Sequence, residues 1–247
     1  MTTMSLRPKC RIEGFHALKH ALRFGAEVVE VEAASRDEVV ALAQRLAPDL
    51  ATVLGERVRE VPDEGFDGVT GRVRAGALRP EQNVDRVLRE RGDGPVVLLD
   101  HPRHLGNVGA AIRVAAAANA DALVTTGTAD PWHPLAIRGA AGLQWALPVG
   151  RVEEAPRAAP VEGGERFETE RPIVALDPEG EPLAAERVPR DAILAFGSER
   201  RGLSDEVRAA ADLTVSLPMR AGVSSINLAA AVAATLYALR LGAGSGA

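Results

Sequence analysis

The sequence predicts an α/β protein: a mostly parallel sheet covered on both faces by helices from about residue 95 onward, preceded by a small α/β unit. Three observations lead there. Between 95 and 240, short apolar runs alternate with stretches of helical spacing, the pattern of a parallel sheet with helical crossovers. PVVLLD (95–100) is a continuous apolar run, as suits a central strand buried on both faces. The stretch 79–94 (RPEQNVDRVLRERGDG) is charged, contains Pro80 and ends in Gly-Asp-Gly, so it reads as a helical linker. The division is therefore 1–78, 79–94 and 95–247.

In the first part, 14–24 carries apolar residues at helical spacing and 27–33 (EVVEVEA) alternates like a strand. A helix over 36–47 is ended by Pro48, and strands follow at 58–61 and near 69–75. In the second part, a helix over 107–120 follows the strand at 95–100, and ALVTTG (122–127) is a second strand. A helix at 132–142, strands at 147–150, 171–177 and 192–197, and a helix at 203–211 come next. The strand LTVSLP (213–218) and a long Ala-rich helix over 225–240 complete the order. The Pro- and Gly-rich segment 155–164 reads as a surface loop.

Bulk properties narrow the function classes. The 247 residues carry a formal net charge of −5, which disfavours a generic nucleic-acid coat but leaves room for local basic surfaces. One such cluster is Arg7, Lys9, Arg11, Lys19 and Arg23 with His16 and His20, and another runs from Arg72 to Arg91. Either can also be a solvated face. Cys10 is the one cysteine, so an intramolecular disulfide is excluded and thiolate metal clusters are not expected. The N-terminus lacks a secretory apolar core, and the Ala-rich segment is too short to span a bilayer. A cytoplasmic protein is the expectation.

Three segments carry more than packing requires. In NVGAAIR (107–113), Asn107 is expected at the helix entry and Arg113 on its second turn, a charge amid alanines that needs a partner or a site. GSERRG (197–202) and LPMRAGVSSINLAAA (217–231) are glycine-bearing loops after short apolar runs, and Ser224, Ser225 and Asn227 stand where caps of the final helix belong. Each can be a plain cap or ion-pair partner, Arg113 with Glu199 included. Asp100, His101, His104 and His133 are a weaker metal-binding alternative, since their spacing fits no standard site. On the final helix, Leu228, Val232, Leu236 and Leu239 form an apolar face that suits core packing or, the favoured reading, a dimer interface.

In order and spacing, NVGAAIR, GSERRG, LPM (217–219) and SIN (225–227) resemble the three signature motifs of the SPOUT superfamily of RNA methyltransferases, in its TrmH/SpoU branch. The resemblance covers about 95–243. The opening EGFHALKHAL (13–22) more loosely resembles a substrate-binding domain related to ribosomal proteins of the eL30 type.

The resemblance implies a deep trefoil knot in the C-terminal part, an exception to the rule that chains avoid threading. The loops near 176–180, 197–202 and 217–225 would then meet around S-adenosyl-L-methionine. Leu176, Gly197, Glu199, Gly202, Leu217, Met219, Ser225, Asn227 and Leu228 would bind it, with Gly197 and Gly202 allowing close approach. The implied activity is methyl transfer to a ribose 2′-hydroxyl of tRNA or rRNA by a homodimer, with no metal and no membrane. Arg113 would sit at the reacting nucleotide, with Asn107 orienting Arg113 or the ribose, and Glu199, Ser225 and Asn227 completing the site. Arg7, Lys9, Arg11, Lys19 and Arg113 are the expected RNA contacts. A non-catalytic RNA-binding protein on this fold, or a base-methylating enzyme, are the alternatives.

Overall fold

A computed structural model describes residues 7–66, 68–155 and 169–243. The chain runs β1 (Lys9–Glu13), α1 (Phe15–Arg23), β2 (Val28–Ala33), α2 (Arg36–Leu46), α3 (Ala51–Arg57), β3 (Val58–Glu60) and β4 (Val73–Leu78). It continues α4 (Val84–Arg89), β5 (Val96–Leu99), α5 (Leu105–Ala117), β6 (Ala122–Thr125), α6 (Pro134–Gly139) and β7 (Val149–Arg151). The last elements are β8 (Ile173–Pro182), β9 (Ile193–Phe196), α7 (Asp205–Ala210), β10 (Leu213–Ser216) and α8 (Leu228–Ala243).

Two sheets result. The first has the order β1-β4-β2-β3, antiparallel except for the β2–β3 pair. The second has six strands in the order β10-β8-β9-β5-β6-β7, every pair parallel. Its central strands β5, β6 and β9 are buried at every residue, so their apolar runs serve two faces at once. Val97, Leu99, Leu123 and Phe196 pack with Ile112 of α5, Ile137 of α6 and Val232 of α8. Val96, Leu98, Val124 and Ala195 point the other way, onto Leu88 of α4 and Val207 of α7. The first cluster continues into Ile12, Phe15 and Leu18, so one core joins the two sheets.

Several boundaries differ from the sequence reading. The stretch 79–94 holds only the six residues of α4, and burial of its Leu88 seats it on the large sheet. Residues 70–72 form a 3₁₀ turn, so the strand expected near 69–75 is displaced to Val73–Leu78. Helix α5 begins at Leu105, earlier than expected, and α8 begins at Leu228, later than expected. Leu228, Val232 and Leu236 are buried inside this chain, and Leu239 packs beside them. That face of α8 is core, not a dimer interface, because the large sheet already covers it. The loop expected over 155–164 lies, beyond Ala155, outside the described residues.

Candidate functional site

In a parallel sheet the C-terminal strand ends share one edge, and loops leaving it converge. Here the ends of β8, β9 and β10 open into a cleft of about 810 Å³. The register between β8 and β10 slips: Thr214 faces Ala175, but Val215 faces Glu181. Residues 176–180 are therefore left out of the pairing with β10, and Leu176, Asp177, Pro178 and Glu179 line the cleft. Leu176, Gly197, Glu199, Gly202, Leu217, Met219, Ser225, Asn227 and Leu228 all line it, although they come from three separate stretches of chain.

The 197–202 loop closes on itself through Ser198 N–H to Gly202 O (2.9 Å) and Gly202 N–H to Ser198 O (3.0 Å). A Cβ on Gly197 would lie 2.1 Å from the Gly202 carbonyl carbon, and Gly202 itself has φ 67°. The two glycines thus make the turn itself, and at Gly197 the close backbone already demands a residue without a Cβ.

A chain of side-chain hydrogen bonds ties the three motifs together. Asn107 Nδ2 donates to Glu199 Oε1 (2.8 Å), and Asn227 Nδ2 donates to Asn107 Oδ1 (3.0 Å). Asn227 Oδ1 accepts from Ala229 N–H (2.9 Å) and Ala230 N–H (3.3 Å), capping α8. Glu199 Oε2 accepts from Arg103 N–H at 3.3 Å. Burial of the Glu199 carboxyl opposes its charge, but the Asn107 amide and the backbone N–H groups of Glu199 and Arg103 outweigh it, holding the carboxyl below its usual range.

Asn107 is the third residue of α5, not its cap, because His104 takes the N-cap position. Ser225 precedes α8 and is exposed on the cleft wall; it makes no capping bond, since Asn227 does that work.

Arg113 lies elsewhere. It sits on the third turn of α5, about 9 Å along the axis and about 240° round from Asn107. It is exposed, pairs with neither Glu199 nor Asn107, and lines a separate cleft beside Lys19. Asn107 therefore orients Glu199 and Asn227 rather than Arg113.

The N-terminal basic cluster divides. Arg7 pairs with Glu27, and Arg11 with Glu13 at 3.0 Å. Arg11 and Lys9 line a pocket on the first sheet with Glu30 and Glu32, away from Lys19. In the second cluster, Arg72, Arg74, Arg79 and Arg91 each hold an Asp or Glu. The metal alternative meets other duties too. Asp100 accepts from Ser204 N–H (2.7 Å), Thr126 Oγ1 (2.9 Å) and His101 Nδ1 (2.8 Å), and His133 Nδ1 accepts from Leu135 N–H.

Asp177 and Arg208 are cleft residues that the sequence reading did not name. Asp177 is buried at the cleft wall, and Arg208 of α7 reaches it at 3.1 Å. The signal for Asp177 was the Asp-Pro step following the apolar run of β8. Arg208 gave none, because α7 meets the cleft only in three dimensions.

Residues 94–237 match the sequence model of the SpoU rRNA Methylase family. The chain belongs to that family. Among curated relatives in it, the 23S rRNA (uridine(2479)-2′-O)-methyltransferase of Streptomyces viridochromogenes is 35% identical over 196 residues, 78% of this chain. The chain spans 64% of that relative's length, just under two thirds. The 23S rRNA (guanosine(2553)-2′-O)-methyltransferase RlmP of Bacillus subtilis is 28% identical over 93% of this chain and 87% of its own. In structure, the SpoU methyltransferase AviRb from Streptomyces viridochromogenes, solved in complex with AdoMet, superposes with a TM-score of 0.73. It is 27% identical, with 97% of this chain and 92% of AviRb covered. An RNA 2′-O ribose methyltransferase superposes with a TM-score of 0.70 at 25% identity, covering 97% and 90%. Among the described residues, no helix is long and apolar enough to cross a membrane.

Proposed function

We propose that this protein is an S-adenosyl-L-methionine-dependent RNA methyltransferase acting on a ribose 2′-hydroxyl, with ribosomal RNA as its substrate class. The observation that carries the reading is the Glu199–Asn107–Asn227 chain, which draws three distant motifs to the mouth of one cleft. The names of the Streptomyces and Bacillus relatives supply the reaction and the RNA class.

The cleft fits such a cofactor. Leu176, Phe196, Leu217 and Leu228 offer apolar walls for a flat base, while Asp177, Glu199 and Ser225 offer polar groups to a ribose and an amino acid. Among the described residues, the backbones of Leu217 and Met219 make no hydrogen bond, which leaves them free to meet a ligand. When bound, the cofactor supplies a methyl group already activated on a sulfonium. The chain's part is then to orient the acceptor hydroxyl in line and to help remove its proton. Arg113, permanently charged and forked, holds a phosphate of the reacting nucleotide bidentately.

Because Arg113 does not line its own chain's cofactor cleft, a homodimer serves the reading best, one chain's Arg113 completing the other's site. Exposed Val223, Ile226, Tyr237 and Leu241, on and beside α8, are apolar surface suited to such an interface. The N-terminal part, 1–78, is the RNA-recognition unit, related in this reading to eL30-type ribosomal proteins, and 79–94 joins it to the methyltransferase part, 95–247. The meeting of three loops in one cleft supports a trefoil knot in that part. A cytoplasmic location belongs to the same reading.

The test is methyl transfer from labelled S-adenosyl-L-methionine to purified 23S rRNA, 16S rRNA and tRNA, with nucleoside mass spectrometry of the product. A 2′-O-methylated nucleoside is expected. Arg113→Ala should lower the rate by about 10²–10⁴ while leaving cofactor binding intact. No labelled RNA, or label on a base, would overturn the reading, as would full turnover by Arg113→Ala.

A further inference from the structure

The cleft that Arg113 lines lies between the two sheets. Its volume is about 550 Å³, and Glu13, His16, Lys19 and His20 from the N-terminal part face Arg113 of α5 and Arg138 of α6 across it. It shares no lining residue with the cofactor cleft.

Its floor is held by direct backbone contact. Gly142, just past α6, has φ 76°, and a Cβ there would lie 2.1 Å from the carbonyl oxygen of Ala17 on α1. Only glycine lets α1 settle this closely. His20 Nδ1 lies 2.8 Å from the Ala141 carbonyl oxygen. A carbonyl can only accept, so Nδ1 carries the proton and donates.

Charge in this cleft is left open. Among the described residues, Lys19, Arg113 and Arg138 make no ion pair and no side-chain hydrogen bond, and the one acid, Glu13, is taken by Arg11 at 3.0 Å. Four other arginines of the N-terminal part hold acids instead: Arg7 holds Glu27, Arg23 Asp49, Arg59 Glu32 and Arg72 Glu38. Three cations without a direct partner, of which Lys19 alone feels a nearby acid in Asp49, repel across one cleft unless an anion joins them. Burial lowers the His20 pKa, and the charges of Lys19, Arg23 and Arg113 add to that against the raising effect of the Ala141 bond. The ring is thus neutral at physiological pH, its Nε2 free to accept from a hydroxyl, the group that tells RNA from DNA.

We propose that this inter-sheet cleft anchors the sugar-phosphate backbone of the substrate RNA, with Lys19, Arg113 and Arg138 neutralising phosphates and His20 accepting from a ribose hydroxyl. This rests on the RNA reading above and adds Arg138 and His20 to it. The cleft grips the strand, and the separate cofactor cleft is left to hold the methyl donor.

The test uses Lys19→Ala/Arg138→Ala in the full chain, which leaves Arg113 in place. Binding to deproteinised bacterial 23S rRNA is measured by filter retention between about 50 and 200 mM salt. Each lost phosphate contact removes about 0.7–0.9 from the slope of log Kobs against log salt, so a fall of about 1.4–1.8 is expected. Calorimetric binding of S-adenosyl-L-methionine should be unchanged. Arg187→Ala, whose guanidinium is already held by Glu181, should keep the wild-type slope. If the double variant loses cofactor binding as well, Lys19→Gln and Arg138→Gln are read singly, each expected to remove about half the slope change. A slope and affinity equal to wild type in an rRNA-methylating protein would overturn the anchoring site alone. A wild-type protein that neither binds nor methylates rRNA would overturn it together with the proposed function.

Discussion

Replacing Asn107 with Asp tests the hydrogen-bond chain by changing one atom. The amide that donates to Glu199 at 2.8 Å becomes a carboxylate oxygen, while the other oxygen still accepts from Asn227. Two charges at that 2.8 Å separation repel by roughly 6 kcal/mol at an effective dielectric constant of about 20. The pair escapes most of this by binding a proton. Protonating a carboxyl of ordinary pKa 4.5 costs about 1.36 kcal/mol per pH unit above it, hence about 3.4 kcal/mol at about pH 7 and about 0.7 at about pH 5. In the variant one carboxyl therefore has a folded pKa raised above its unfolded value. The folded state then binds the extra proton, so the penalty is full at neutral pH and fades on acidification. Wild type slopes the other way: the depressed pKa of Glu199 contributes stability present above the unfolded value and lost as pH falls through the folded one. At about 2–4 °C per kcal/mol for a protein of this size, the variant's Tm deficit should be about 7–14 °C at about pH 7 and about 1–3 °C at about pH 5. Thermal melts across that range decide it. An equal deficit at both ends, or none, would refute the Asn107–Glu199 contact as the link between the motifs.

Two further outcomes follow from close packing and burial. Gly197→Ala puts a methyl group 2.1 Å from the Gly202 carbonyl carbon and 2.2 Å from Leu203 N, both backbone, so the loop must open. A stability loss of about 1–3 kcal/mol and cofactor affinity weakened about tenfold or more are expected, by melting and calorimetry; unchanged values would show that the loop tolerates opening. Burial pushes the Cys10 thiol up to about 11, so native protein should resist a thiol reagent at about pH 8 and react once unfolded. Equal rates in both states would contradict that burial.

Much of the architecture was legible in one dimension because its forces are local. A strand buried on both faces must be apolar throughout, and β5 reads that way in the bare sequence. Glycine and Asn-Ser punctuation likewise marked the loops at 197–202 and 217–227 that line the cleft. Element ends were less legible. Asn107 resembles a cap by residue type, yet α5 starts earlier because Leu105 and Gly106 already lie in the helix. The 228–239 face of α8 was ambiguous because an apolar stripe looks the same whether a sheet or a second chain covers it.

Through residue types and spacing, the sequence by itself determined the α/β class and the three motifs. Only the tertiary structure decided how they meet: Glu199 and Asn227 close on Asn107 from 92 and 120 residues away, while Arg113, six residues from Asn107, turns to another cleft. It alone added Asp177 with Arg208, and set Arg138 opposite Lys19. The reason is physical. Hydrophobic periodicity is written along the chain, whereas the matching of a charge to its partner, or its lack of one, depends on which distant segments the core brings within a few ångströms.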